Sequence, residues 1–151
     1  MFSWAKKDVM YDLLKREDVN WRVLNLQTAK GVYQQNALGQ SRIRAFVLDD
    51  SIKTRCGKKM EGVSSHFDHV AGRHVMGQQV LTLGLATEDA FLPLDSQIYI
   101  SGTKARRLIA DYKDSRSAVA SRYAEATTQR KPHMAATMLK RAMRSGIEAD
   151  Y

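Results

Sequence analysis

The spacing of apolar residues divides the chain into three sections. From residue 1 to about 40 the pattern is helical. Val9, Leu13 and Leu14 fall on one face of a first helix, with Lys6, Lys7, Lys15 and Arg16 elsewhere. Glu17-Asp18-Val19-Asn20 interrupts it, and Asn20 is suited to cap a second helix carrying Trp21, Leu24, Thr28 and Val32. The pair reads as a helical hairpin packed on the next domain, or as a helix-turn-helix, and the hairpin needs fewer special residues. Gly39 and its polar neighbours close this section as a loop.

From about residue 41 to 101 the pattern is that of strands. The spacing predicts a first strand over 43–49, more uniformly apolar than the others, as befits a strand covered on both faces. A second strand is predicted over 73–86, where Val75, Val80, Leu81, Leu83 and Leu85 recur and Gly77 and Gly84 mark bulges or close approach. Thr87-Glu88-Asp89 turns the chain into a third strand over 90–100, so the second and third make a long antiparallel hairpin. Pro93 has no N–H to donate and places the third strand at a sheet edge. The expected order is third, second, first, with the outer side of the first strand free. From residue 103 the chain is helical and basic. Pro132 opens a further helix in which Met134, Met138 and Ala142 share a face, and Ser145-Gly146 stops it. Residues 147–151 approach another strand.

Composition changes this picture in two ways. The chain has 151 residues, 44% of them hydrophobic, which suits one soluble domain with or without a short extension. Lysine and arginine exceed aspartate and glutamate by 24 to 16, a net charge of +8 that points to nucleic acid or an anionic surface as partner. Cys56 is the single cysteine, which excludes an intrachain disulfide and a multi-cysteine zinc site. No apolar run is long enough to span a bilayer, and Met1 to Lys7 lack the apolar core of a signal peptide. The expectation is a cytoplasmic protein.

Candidate chemistry centres on Ala45-Phe46-Val47-Leu48-Asp49-Asp50-Ser51, an apolar run ending in two carboxylates and a hydroxyl. A strand that delivers an aspartate to its exposed tip is one way to place a metal ligand. Successive strand residues point to opposite faces, so Asp49 and Asp50 serve different surroundings. Lys53, Arg55, Lys58 and Lys59 come next and suit phosphates, or form a solvated loop. His66, Asp68, His69 and His74 suggest a metal site, but His66 and His69 are too close for the usual helical pair and no cysteines complete a zinc shell. Packing at a sheet edge explains them better, with a DNA-facing role for His69. Cys56 has cationic neighbours but no nucleophile's partners, and reads as an incidental thiol.

Several blocks together resemble one family. Phe46-Val47-Leu48-Asp49-Asp50-Ser51, Gly57-Lys58-Lys59-Met60-Glu61-Gly62-Val63 and His66-Phe67-Asp68-His69 are similar to the first catalytic block of bacterial insertion-sequence DDE transposases. Gly77-Gln78-Gln79-Val80-Leu81-Thr82-Leu83 and Phe91-Leu92-Pro93-Leu94-Asp95 extend the similarity, and Lys7-Asp8-Val9-Met10-Tyr11 and Asn20-Trp21-Arg22 match the segment upstream of that block. The resemblance covers nearly the whole chain.

The resemblance implies an α+β fold: N-terminal helices over residues 1–40, then over 41–151 the first β-β-β-α part of a ribonuclease H-like catalytic domain, incomplete before its second catalytic aspartate. It implies Mg²⁺-dependent cleavage and transfer of DNA strands, with Mn²⁺ as a substitute ion. Asp49 takes the position of the first catalytic carboxylate and metal ligand, with Asp50 and Ser51 beside it and Lys53, Arg55, Lys58, Lys59 and His69 toward the DNA. The partners implied are double-stranded DNA (transposon ends and target) and a second copy through self-association, near the bacterial nucleoid. The family needs two further acids. Asp150 lies just upstream of the expected second one, so the 151 residues are expected to be inactive alone. A non-catalytic basic DNA-binding protein and an independent ribonuclease H-like nuclease are the alternatives.

Overall fold

The computed structural model describes residues 7–56, 62–100 and 114–151. Lys58 and Lys59 lie outside the described residues, as do Arg106, Arg107 and Lys113 of the basic third section. The architecture is mixed α+β: helices, an antiparallel four-stranded sheet, then helices, compatible with a partial ribonuclease H-like fold.

Two helices open the chain, α1 over Lys7–Leu14 and α2 over Trp21–Gln35. Asn20 caps α2 as its residue type predicts, its side chain accepting from the Val23 amide at 3.1 Å. A 3₁₀ turn over Leu38–Gln40 leads into β1, Arg44–Thr54. β2 spans Ser64–Asp68, β3 Arg73–Thr87 and β4 Phe91–Tyr99. Then come α3, Ala118–Thr128, and α4, Lys131–Arg144.

β3 organises the sheet. It pairs antiparallel with β1 along one side, and with β2 and β4 in succession along the other. The order β4, β3, β1 is the one predicted. β2 is an addition, because no strand is predicted between residues 49 and 73. The segment Ser64-Ser65-His66-Phe67-Asp68 is short and polar, and its strand state comes from the first five residues of β3, Arg73 to Gly77, which it pairs. Pairing partners, more than intrinsic preference, decide such a segment.

β1 departs from expectation in the same way. It runs five residues past Asp49 to Thr54, so that Asp49 is mid-strand instead of at a tip. Asp50 to Thr54 pair with Leu81 back to Gly77 and are drawn into the sheet by the length of β3. Gly77 permits this approach, since a Cβ there would lie 2.7 Å from the Lys53 carbonyl oxygen.

One face of the sheet carries the core. Leu81, Leu83 and Leu85 of β3 and Leu92 and Leu94 of β4 meet Ala29 of α2, Met134, Met138 and Ala142 of α4, and Ile147. The predicted methionine face of α4 is therefore the buried one, with Pro132 in its first turn and Gly146 at φ +85° after its end. Each fully buried leucine contributes about 1.5–3 kcal/mol relative to exposure.

The two edges differ. Pro93 sits on β4, which pairs only with β3, and the register slips there so that Leu94 is the extra residue of a bulge. The outer side of β4 is covered: Asn25 donates to the Leu94 carbonyl at 3.0 Å, Arg122 donates to the Ser96 carbonyl at 2.5 Å, and the Ile100 amide donates to the Ala126 carbonyl at 3.1 Å. On the outer side of β1, the Asp150 amide donates to the Arg44 carbonyl and the Phe46 amide to the Tyr151 carbonyl, each at 2.8 Å. The terminal residues thus run alongside the start of β1 in its own direction without forming a strand, so the outer side of β1, expected to be free, is occupied there. Past Phe46 this edge meets no other described backbone.

Candidate active site

The register separates the two adjacent aspartates. Asp49 lies opposite Thr82, and Asp50 opposite Leu81. Paired residues of an antiparallel ladder share a face. Leu81 belongs to the core, so Asp50 projects to the helix-covered side and Asp49 to the other. Their contacts agree. Lys131, at the start of α4, donates to Asp50 Oδ2 at 2.5 Å, and Gln79 Nε2 donates to the same oxygen at 3.2 Å. Lys131 Nζ also lies 5.1 Å from the centroid of the Tyr99 ring. Asp50 is thus neutralised from within the fold. Asp49 is exposed and makes no hydrogen bond or ion pair with another described residue.

The face that carries Asp49 also carries Ser51, Lys53 and Arg55, at alternate positions. Lys53 stands opposite Gln78, and Arg55 Nε donates to Gln78 Oε1 at 3.1 Å. Lys53 is about 13 Å from Asp49 along the strand at the usual rise per residue. Four of the residues singled out in the sequence therefore share one open surface. His69 is not among them. It comes just after the last residue of β2, level with Arg73, about 30 Å along β3 from the Asp49 row. The three histidines around β2 are engaged locally: His66 Nε2 is 2.7 Å from Ser64 Oγ, and His69 and His74 make edge contacts with the Phe67 ring at 5.0 and 5.3 Å. Asp68 Oδ1 accepts from the amides of Val70 and Ala71, an ordinary turn role.

Three further acids are committed elsewhere. Arg44 grips Asp150 through two nitrogens, at 2.7 and 3.2 Å, and its backbone amide donates to the same carboxylate at 3.0 Å. Those bonds hold the Asp150 carboxyl below its ordinary pKa and raise that of Arg44. Arg44 is five residues from Asp49, about 17 Å along β1, so Asp150 does not join it. Asp95 is buried and accepts from Arg141 at 2.7 and 3.0 Å, while Arg22 bonds Glu125 at 2.8 Å and reaches Asp95 at 3.8 Å. The sequence blocks containing Arg22 and Asp95 thus meet in one network, a pairing that their separation of 73 positions concealed. Lys131 as partner of Asp50 was equally illegible, since a lysine at the start of a basic helix carries no mark of its target.

A family model described as DDE superfamily endonuclease matches residues 4–151. The chain belongs to that family. No curated protein and no solved structure gives a significant match. A DDE-type domain implies a DNA substrate and, typically, divalent metal ions. Asp49 of this DDE domain offers one hard oxygen ligand of the kind Mg²⁺ accepts. Among the described residues no three of His, Cys, Asp and Glu gather into a metal site. The fit is that of one ligand position, not of a complete two-ion centre.

Proposed function

We propose that this chain is the part of a bacterial insertion-sequence DDE transposase that presents the first catalytic carboxylate, Asp49, to DNA. The observation that carries the reading is the split between neighbours: Asp50 is tied to Lys131, whereas Asp49 has no partner among the described residues on the face it shares with Lys53 and Arg55. A free carboxylate beside cations suits a site where a divalent ion, Mg²⁺ or Mn²⁺, lies between the protein and a phosphodiester. Lys53 and Arg55 hold phosphates, the Ser51 hydroxyl lies between them and Asp49, and the Asp50–Lys131 pair keeps the second carboxylate away. Lys58 and Lys59, next along the chain, are proposed as further phosphate contacts on the family resemblance.

The reaction class is strand cleavage and transfer. The 151 residues by themselves are proposed not to carry it out. In-line displacement between two ions needs carboxylates converging from separate elements, and Asp95, Glu125 and Asp150 are held by arginines away from Asp49. A supercoiled plasmid incubated with Mg²⁺ or Mn²⁺ tests this. No cleavage by the chain or by its Asp49→Ala variant is expected. Cleavage that is lost in the variant would overturn the proposed inactivity and favour an independent nuclease. DNA binding is expected to be sequence-tolerant and to weaken steeply with salt. Affinity insensitive to salt would remove the phosphate-contact part of the proposal.

A further inference from the structure

The row of side chains that begins with Asp49 continues across the open face. Asp49 is opposite Thr82, and Thr82 is opposite Ser96 on β4. Carboxylate, hydroxyl and hydroxyl therefore cross three strands in one line, about 10 Å at the usual strand spacing. At its far end lies Arg122 of α3, donating to the Ser96 carbonyl.

Arg122 is unlike its neighbours. Three arginines cluster behind β4 with two carboxylates. Arg141 is bonded to Asp95 and Arg22 to Glu125. Among the described residues Arg122 has no carboxylate in bonding range, and its side chain donates to a neutral carbonyl. Burial disfavours its charge and the nearby Arg22 and Arg141 add to this, while Asp95 and Glu125 offset part of it from a distance; its pKa is lowered. A half-buried guanidinium with spare donors and no counter-ion is an incomplete arrangement, since such groups are stabilised by bidentate anions. Its surroundings leave room for one. Arg122 lines an open cleft of about 580 Å³ together with Trp21, Ser96, Ile98, Val119 and Tyr123.

We infer that Arg122 is a phosphate-binding residue, taking a backbone phosphate of the same DNA whose neighbouring segment lies at Asp49. This rests on the DNA reading proposed above. The distance suits it: Ser96 stands about 10 Å from Asp49 with Arg122 just beyond, and at 3.4 Å of rise per nucleotide of one strand this is a span of at least about three nucleotides. Lys53 and Arg55 would then hold the backbone along β1 and Arg122 across the sheet, fixing the strand on two sides of the carboxylate.

The test is the salt dependence of binding to a short mixed-sequence DNA duplex by the full chain, with thermal melting of each variant alongside. Arg122→Gln is expected to make the plot of log affinity against log salt shallower by about one unit, as loss of a single phosphate contact does. Arg16→Gln, whose arginine is paired with Asp18 in the turn between α1 and α2, should leave the slope unchanged. A folded Arg122→Gln with the parent's slope overturns the inference, and leaves Arg122 as a cover for the β4 edge. In that event a reduced slope in Lys53→Gln still supports the DNA reading, whereas a parent chain without salt-dependent binding overturns both. Should Arg122→Gln fail to fold, phenylglyoxal modification of the parent decides. DNA is expected to slow modification at Arg122, and equal rates with and without DNA overturn the inference.

Discussion

The two faces of the sheet are built from the same strands, one residue out of phase, and they serve opposite ends. On the helix-covered face, Leu83, Leu85, Leu94 and Met138 are fully buried, and the carboxylates that enter are matched: Asp95 by Arg141 and Arg22, Asp50 by Lys131. On the open face, Asp49, Ser51 and Ser96 are exposed, Thr82 is half-buried, and Asp49 is left without a partner among the described residues. The covered face is where polar groups must be satisfied internally, because desolvation leaves no alternative. The open face can keep a carboxylate unpaired at little cost because water solvates it. That freedom is what a ligand for a metal ion or a neighbour of DNA requires.

The comparison breaks most easily at Asp95. Removing a buried carboxylate leaves Arg141 without its counter-charge and Arg22 with Glu125 alone, so Asp95→Ala is expected to cost about 3–5 kcal/mol in urea denaturation. A loss below about 1 kcal/mol, the range of exposed pairs, would show the network to be solvated. Next is Leu83→Ala, expected to cost about 2–5 kcal/mol through the cavity it opens. Its neighbour Thr82 faces the other way, and Thr82→Ala should stay within about 0.5 kcal/mol. Similar values for the two would mean that the open face is packed.

The two aspartates give the sharpest version. Asp50→Ala should cost about 0.2–1 kcal/mol, the range of a partly exposed ion pair. Asp49→Ala should leave stability within about 0.5 kcal/mol of the parent. If Asp49→Ala were the more destabilising of the two, Asp49 would be a structural residue and its proposed role would fall.

The smallest effect is a pH dependence at the end of β1. The Asp150 carboxyl is held low by its hydrogen bonds from Arg44. Its contribution is therefore fully present above the unfolded value, about 3.9, and is lost as pH falls through the lower folded value. Acid titration of the parent and of Asp150→Asn should show their stabilities converging below about pH 4. A constant difference across the acid range would place the stabilisation in the backbone bonds to Arg44 and Phe46 instead.

Much of this was legible in the order of the residues. Asn20 as a cap, Pro93 on an edge strand, Met134, Met138 and Ala142 as one buried face, and Gly146 as a helix stop each come from local rules of chain geometry and burial. So does the opposition of Asp49 and Asp50, which needs only the two-residue period of a strand. The strand character of Ser64–Asp68 and of Asp50 to Thr54 could not be read that way, because polar segments become strands only where a partner offers its hydrogen bonds, and that partner is the long β3. The sequence by itself determined most of the elements, the buried face of α4 and the neighbours that cannot share a site, but not the covered side of α2, where Ala29 is buried and Leu24 and Val32 are exposed. Only the tertiary structure decided which aspartate Lys131 would neutralise, that Arg22 would meet Asp95 and Glu125, and that Arg122 would lie at the end of the Asp49 row. Those outcomes depend on how separate elements pack, and short-range patterning carries no term for an ion pair between residues 81 positions apart.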